Sequence, residues 1–476
     1  MWTFPKILDE KGVSDWKDTG RKGRRCGNEG SSYGRRVLGK KLRKLSRPEG
    51  GTLMEHHSKI AGKIKSQITR FSHKISGDFK KPTRKLIVQM LYGIQASKDV
   101  KLSNIARSLN EEIPLVKTES RLSRNLGKMD LTEPINEKLV VEGSKKIQQE
   151  TVIALDLSDV NKPYAEKMEY LALVRDGSTG ETRSKGYWLI DVLGADVEGE
   201  DLIPLYGELY SQEASNFRSE NRQILDAIDR VMGGIGLKGI WAIDRGGDRS
   251  RLFKGFFERK LRFVVRLVGD RDLILKDGQK KNSLKTAWGC HCPHQRELTI
   301  DKDGETKKKT ISVGQIKVKL PFSEQPLFLV VVKGWGEKPM MLLTNVAVKP
   351  RGVMRILEIY LTRWKCEESY RFIKQAYNLE DVRVLSYTGL RNMMALVQAV
   401  FYFVSAELGK NLKLNILLKK LFEKAKRFFE IPDFRQYAIA DGIYKILFSS
   451  QTAIFPPLIK QQRTGQLLFP FAVEFS

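Results

Sequence analysis

The sequence predicts an α/β protein, with a buried, partly parallel sheet flanked by helical N- and C-terminal regions. Three observations predict it. From residue 151, apolar runs ending in acids alternate with amphipathic helical stretches. From about 268 to 349, β-branched strand-like runs dominate. Before and after this middle, the apolar residues recur at helical spacing.

Composition narrows the class further. The chain has 476 residues, with 84 Lys+Arg against 56 Asp+Glu and a formal charge of +28. An apolar content of 41% excludes a wholly disordered basic protein. Four cysteines exclude a disulfide scaffold and suit a reducing compartment. The charge calls for a polyanion, either nucleic acid or an anionic membrane. The membrane reading is weak. MWTFPKILDEKG has no apolar signal region. The longest apolar run, Met393 to Leu408, contains Gln398 and Glu407. It is shorter than the roughly 20 residues of a spanning helix. A buried helix is expected there, and DNA rather than membrane as partner. The first 150 residues hold 33 basic and 17 acidic side chains, more than half of the excess.

Residues 1–53 read as a basic disordered tail, rich in Gly, Ser, Arg and Lys. Two accounts stand equally: a loose nucleic-acid-binding arm, or upstream sequence ahead of a start at Met54. Residues 54–148 read as a helical, DNA-binding domain. Leu86, Met90, Leu91 and Ile94 form one apolar face, Ser103 is placed to cap the next helix, and Pro114 falls in a turn. Two short helices around that turn, the second carrying Lys117, Arg121 and Arg124, are a candidate helix-turn-helix.

Strands are expected in TVIALDLSD, MEYLALVRD, GYWLIDVLGAD, GIWAID and RFVVRLVGD. Helices are expected in NRQILDAIDRVM, with Ile224, Leu225, Ile228 and Val231 on one face, and in RLFKGFFERK. Residues 269–349 read as a mostly β insertion, and 350–408 as a return to the α/β core. Residues 409–476 read as a basic helical region, with Leu414, Leu417, Leu418, Leu421 and Phe422 on one face.

Three segments carry chemistry. Asp156 ends the apolar run TVIAL, and Asp244 ends GIWAI. On neighbouring strands about 4.8 Å apart, two such carboxylates converge and repel unless a cation lies between them. Mg²⁺ is the usual solution, since it takes few carboxylates and leaves room for phosphate oxygens. The third segment is YLTRWKCEESYRFIK, with Tyr360, Arg363, Glu367 and Lys374. At about 100° per residue these four fall within about 60° of one helical face. Glu367 would complete a metal site and the cations would grip phosphate.

These residues fill the pattern Y-x2-R-x3-E-x6-K, which resembles the signature of IS4-type insertion-sequence transposases. DRGGD, from Asp244 to Asp248, resembles that family's segment for the second catalytic Asp, and ALDLSD the segment for the first. The resemblance spans about residues 60 to 410. It implies a ribonuclease-H-like core, residues 149–268 and 350–408, interrupted by the β-rich insertion. It implies a DDE transposase that cuts element ends and joins them to target DNA. Two Mg²⁺ (or Mn²⁺) ions would be held by Asp156, Asp244 and Glu367, with Tyr360, Arg363 and Lys374 on DNA phosphates. It further implies a homodimer on paired terminal inverted repeats, in the cytoplasm with the nucleoid. Where some relatives place a base-stacking Trp before L-L-T, this sequence has Met340 and Met341, with Trp335 just upstream.

Other readings remain open at this point. One is a different ribonuclease-H-like nuclease, and another a catalytically inactive or domesticated DNA-binding protein. Asp159 and Asp248 are supporting acids or caps. Cys290, His291, Cys292 and His294 invite zinc, but C-x-C is tighter than usual and a structural β-turn is preferred. Cys366 would point off the Glu367 face.

Overall fold

The computed structural model describes residues 5–7, 53–174, 184–302, 305–347, 349, 352–424, 435–450 and 454. In helix α1 (Leu53–Ile75), Ile60, Ile64, Ile68, Phe71 and Ile75 recur every three or four residues, and all are buried. Helix α2 (Lys81–Ser97) is buried all round from Leu86 to Ala96, so it forms the centre of the N-terminal bundle. Helix α3 (Leu102–Leu109) crosses it at Gly93, where a Cβ would lie 2.4 Å from Ile105 Cγ2. Ser103 does not cap α3. The helix starts one residue earlier, and Asp99 fixes the turn by accepting from Lys101 N at 2.8 Å.

Asn110, in the left-handed region, ends α3, and Pro114 precedes α4 (Leu115–Leu126). The expected pair of short helices around a turn is present. Its three basic side chains divide. Lys117 and Arg124 are exposed, whereas Arg121 is tied inward to Gln89 and Glu111 at 2.8 and 2.6 Å. Helix α5 (Thr132–Ser144) then leads to the sheet.

The sheet strands are β1 (Pro5–Ile7), β2 (Val152–Asn161), β3 (Ala172–Val174), β4 (Ser184–Ala195), β5 (Leu202–Tyr210), β6 (Ile240–Ile243), β7 (Phe263–Arg266), β8 (Asp272–Leu275), β9 (Lys280–Asn282), β10 (His294–Lys302), β11 (Glu305–Lys319), β12 (Leu327–Lys333) and β13 (Met340–Thr344). Among the described residues they form one 13-stranded mixed sheet, ordered β1-β10-β11-β12-β13-β7-β6-β2-β4-β3, with β5 on β4, β8 on β11 and β9 on β8. The pairs β2–β6 and β6–β7 are parallel; β2–β4, β4–β5 and β7–β13 are antiparallel. The β-rich stretch therefore continues the central sheet through β13 rather than forming a sheet of its own. Of the tail, Pro5–Ile7 are not disordered as expected: they pair with Leu298–Ile300 of β10. The rest of residues 1–52 lies outside the described residues.

Helices α6 (Glu220–Ile235) and α7 (Ser250–Glu258) follow the sequence reading. Ile224, Ile228 and Val231 are buried, and Leu225 packs beside Gly255. Helix α8 (Ser283–Trp288) is a short turn between β9 and β10. Beyond β13 come α9 (Val353–Thr362), α10 (Trp364–Ala376) and α11 (Tyr387–Tyr402). Helix α11 is buried along nearly its whole length, as the apolar run predicts. Among the described residues no single helix is long and apolar enough to cross a membrane.

The C-terminal face is revised. In α12 (Lys410–Lys424), Leu412 and Ile416 are buried and Leu414 is 45% exposed. The reason is α13 (Arg435–Ser450), whose Gly442 brings the two helices together at Ile416. The side chains of Leu418, Leu421 and Phe422 lie outside the described residues.

Candidate active site

Strand β2 does not end at Asp156, as its apolar run suggests. It continues to Asn161, because β4 pairs with it along that whole length. Only the parallel pairing with β6 stops, at Leu155 opposite Ile243. Asp156 and Asp244 are thus the next residues on two neighbouring strands. Asp244 leaves the sheet into a turn, where its Oδ1 accepts from Gly246 N at 2.7 Å.

Glu367 faces this pair from α10. Tyr360, Arg363, Glu367 and Lys374 do not lie on one unbroken helix: α9 and α10 meet at Arg363, where Arg363 N and Cys366 N make tighter i to i−3 bonds. Tyr360 is buried in a second apolar cluster with Val353, Ile356 and Leu357. Its ring lies 5.5 Å from the Arg363 guanidinium. Arg363, only 4% exposed, reaches Asp156 Oδ2 at 3.3 Å through Nη1 and Glu367 Oε1 at 2.6 Å through Nη2. Lys374 lies two turns farther on, between Asp159 at 3.6 Å and Glu380 at 3.2 Å.

The electrostatics are those of a buried, cation-poor cluster. Burial pushes the Asp156 carboxyl up to about 8; Arg363 opposes the rise, and Asp244 and Glu367 add to it. Burial works against the Arg363 charge, but the attraction of Asp156, with Tyr360 and Glu367, outweighs it and holds its pKa above the usual value. Of the three carboxylates, Asp156 and Glu367 share one guanidinium. Such a group is short of positive charge and suits a hard divalent cation. Yet among the described residues no three His, Cys, Asp or Glu side chains stand close enough together to hold one ion as they are.

Residues 217–403 match the family model described as the transposase DDE domain. This chain carries a transposase DDE domain. The match takes in Asp244, Tyr360, Arg363, Glu367 and Lys374; Asp156 lies ahead of it. A cryo-EM structure of the piggyBac transposase synaptic complex with hairpin DNA overlays with 86% of this chain and 83% of its own, at 11% identity and a TM-score of 0.37. No curated protein matches the chain.

Within and beside the DDE domain, three supporting residues escaped the sequence reading. Tyr370 donates from its hydroxyl to Asp156 O at 2.9 Å, in a buried position. It stands three residues after Glu367, so a helical count past the motif would have found it. Asp191 lies opposite Asp156 on β4, and its Oδ1 accepts from Gln398 Nε2 at 2.8 Å. An acid within the apolar run GYWLIDVLGA was the available signal. Arg271 pairs with the buried Asp248, which also accepts from Val268 N at 2.7 Å, pinning the loop after Asp244.

The remaining candidates are structural in placement. Cys290 and Cys292 donate their thiols to carbonyls: Cys290 to His291 O, Cys292 to Cys290 O and Val331 O. Cys366 is on the buried face of α10 itself. Trp335 sits in the β12–β13 turn, half-buried against the second apolar cluster, and Met340 and Met341 are buried in β13.

Proposed function

We propose that this chain is an IS4-type DNA transposase, which cuts element ends and joins them to target DNA. The observation that carries this is Asp156 and Asp244 on adjacent parallel strands with Glu367 facing them, beside a matched DDE domain. The sheet order around them, antiparallel β5-β4-β2 passing into parallel β6-β7, supports a ribonuclease-H-like core.

Asp156, Asp244 and Glu367 would hold two divalent ions. Bound Mg²⁺ or Mn²⁺ supplies Lewis-acid charge and lowers the pKa of water or a 3′-hydroxyl. The chain's own residues do the positioning. Tyr370 fixes the backbone of Asp156, and Gly246 N fixes the Asp244 carboxylate. Arg363, backed by the Tyr360 ring, offers a planar fork for phosphate oxygens. Lys374 adds a second cation along β2. The exposed Lys117 and Arg124 of α4 suit DNA backbone contacts, with terminal repeats as partner and a homodimer on paired ends.

The test mixes the full chain with duplex DNA carrying its flanking terminal repeats and Mg²⁺. Specific end cleavage is expected, and its loss in Asp244→Asn. Binding without cleavage in both proteins would replace this reading with that of a non-catalytic DNA-binding protein.

A further inference from the structure

Arg363 occupies the place between the acids. Its two terminal nitrogens engage Asp156 and Glu367, oxygens that a shared cation would need. The other cations nearby are committed elsewhere: Lys374 to Asp159 and Glu380, and Arg371 to Glu368. Arg363 is itself incompletely satisfied. Its Nε, and Nη1 apart from the ion pair, have no hydrogen-bond partner among the described residues, although both atoms are buried. A buried donor without an acceptor is costly, and a phosphate offers two oxygens in the geometry a guanidinium matches.

We propose that Arg363 is the resident counter-ion of the Asp156–Glu367 cluster, exchanged for a divalent cation when a DNA phosphate takes its guanidinium. This rests on the transposase reading and deepens it. The same arginine closes the acid cluster in the free protein and grips DNA in the complex. Metal and DNA then bind with positive coupling, because each removes an obstacle to the other. Such coupling is reciprocal.

The experiment titrates the full chain with Mn²⁺ and follows free Mn²⁺ by electron paramagnetic resonance. Without DNA, Arg363→Gln should bind Mn²⁺ roughly tenfold more tightly than wild type. The double variant Arg363→Gln/Asp156→Asn should lose that gain, which locates the ion. Arg363→Lys keeps the core filled and reaches only one acid, so its affinity should fall between the two. Adding terminal-repeat DNA should tighten Mn²⁺ binding to wild type more than to Arg363→Gln. Equal affinity in wild type and both Arg363 variants, lost in Asp156→Asn, overturns the exchange and leaves the metal site standing. Weaker binding in Arg363→Gln likewise overturns it. Mn²⁺ binding that ignores Asp156→Asn in every protein sinks the exchange and the metal site together.

Discussion

Asp156 and Asp191 sit directly opposite each other on β2 and β4, so their side chains share one face of the sheet. Asp156 lies against Tyr370 of α10 and Asp191 against Gln398 of α11, and both are buried. They differ in what meets them. Asp156 faces Arg363, whereas Asp191 faces the neutral amide of Gln398. Gly207, opposite Asp191 on β5, leaves the room: a Cβ there would lie 2.9 Å from Gln398 Cδ.

Asp191 should make stability depend on pH. Burial pushes its carboxyl up to about 7, against the hydrogen bond from Gln398. The folded pKa lies above the unfolded value of 3.8, so the folded state keeps a proton the unfolded state has lost. Its contribution is full below pH 3.8 and is lost as pH rises towards 7. Asp191→Asn cannot ionise; its Nδ2 takes the place of the unpartnered Oδ2 and brings a donor to the unpartnered Gln398 Oε1. Thermal melts should show Asp191→Asn more stable than wild type at pH 8, by a few kcal/mol, with little difference at pH 4. An equal shift at both pH values would contradict this.

Tyr370→Phe removes the hydroxyl that holds the Asp156 carbonyl. A loss of about 1–2 kcal/mol is expected from denaturant midpoints. End cleavage should fall far less than in Asp156→Asn, because the carboxylate itself remains.

At Gly93 the prediction is steric. Gly93→Ala sets a methyl 2.4 Å from Ile105 Cγ2 and should cost about 1–3 kcal/mol. Adding Ile105→Ala to Gly93→Ala should cost less than Ile105→Ala costs in wild type. Strict additivity in chemical denaturation would disprove the contact.

The basic residues of α4 should separate by role. Lys117→Ala and Arg124→Ala should each weaken DNA binding across sequences and lower the salt slope by about 1, with melting unchanged. Arg121→Ala should instead destabilise the fold, since Glu111 and Gln89 lose their shared partner. Fluorescence anisotropy against salt, paired with thermal melts, distinguishes the two behaviours.

Lys374→Ala should also weaken DNA binding, through the DDE domain rather than α4. It leaves Asp159 with Asn161 Nδ2, which donates to its carboxylate at 2.7 Å. A salt slope unchanged from wild type would remove Lys374 from the DNA surface.

The sequence by itself determined the α/β class, a buried helix within the run from Met393 to Leu408 and the acids and cations of the motif. Those signals are local: apolar period, an acid after an apolar run, and fixed spacing along a helix. It misjudged what depends on distant partners. The end of β2 is set by β4, the buried face of α12 by Gly442 of α13, and the turn that starts α3 by Asp99. Only the tertiary structure decided that Arg363 lies between Asp156 and Glu367. Nearly 210 residues separate Asp156 from that arginine, and the charge of a buried group is settled by what packing brings beside it.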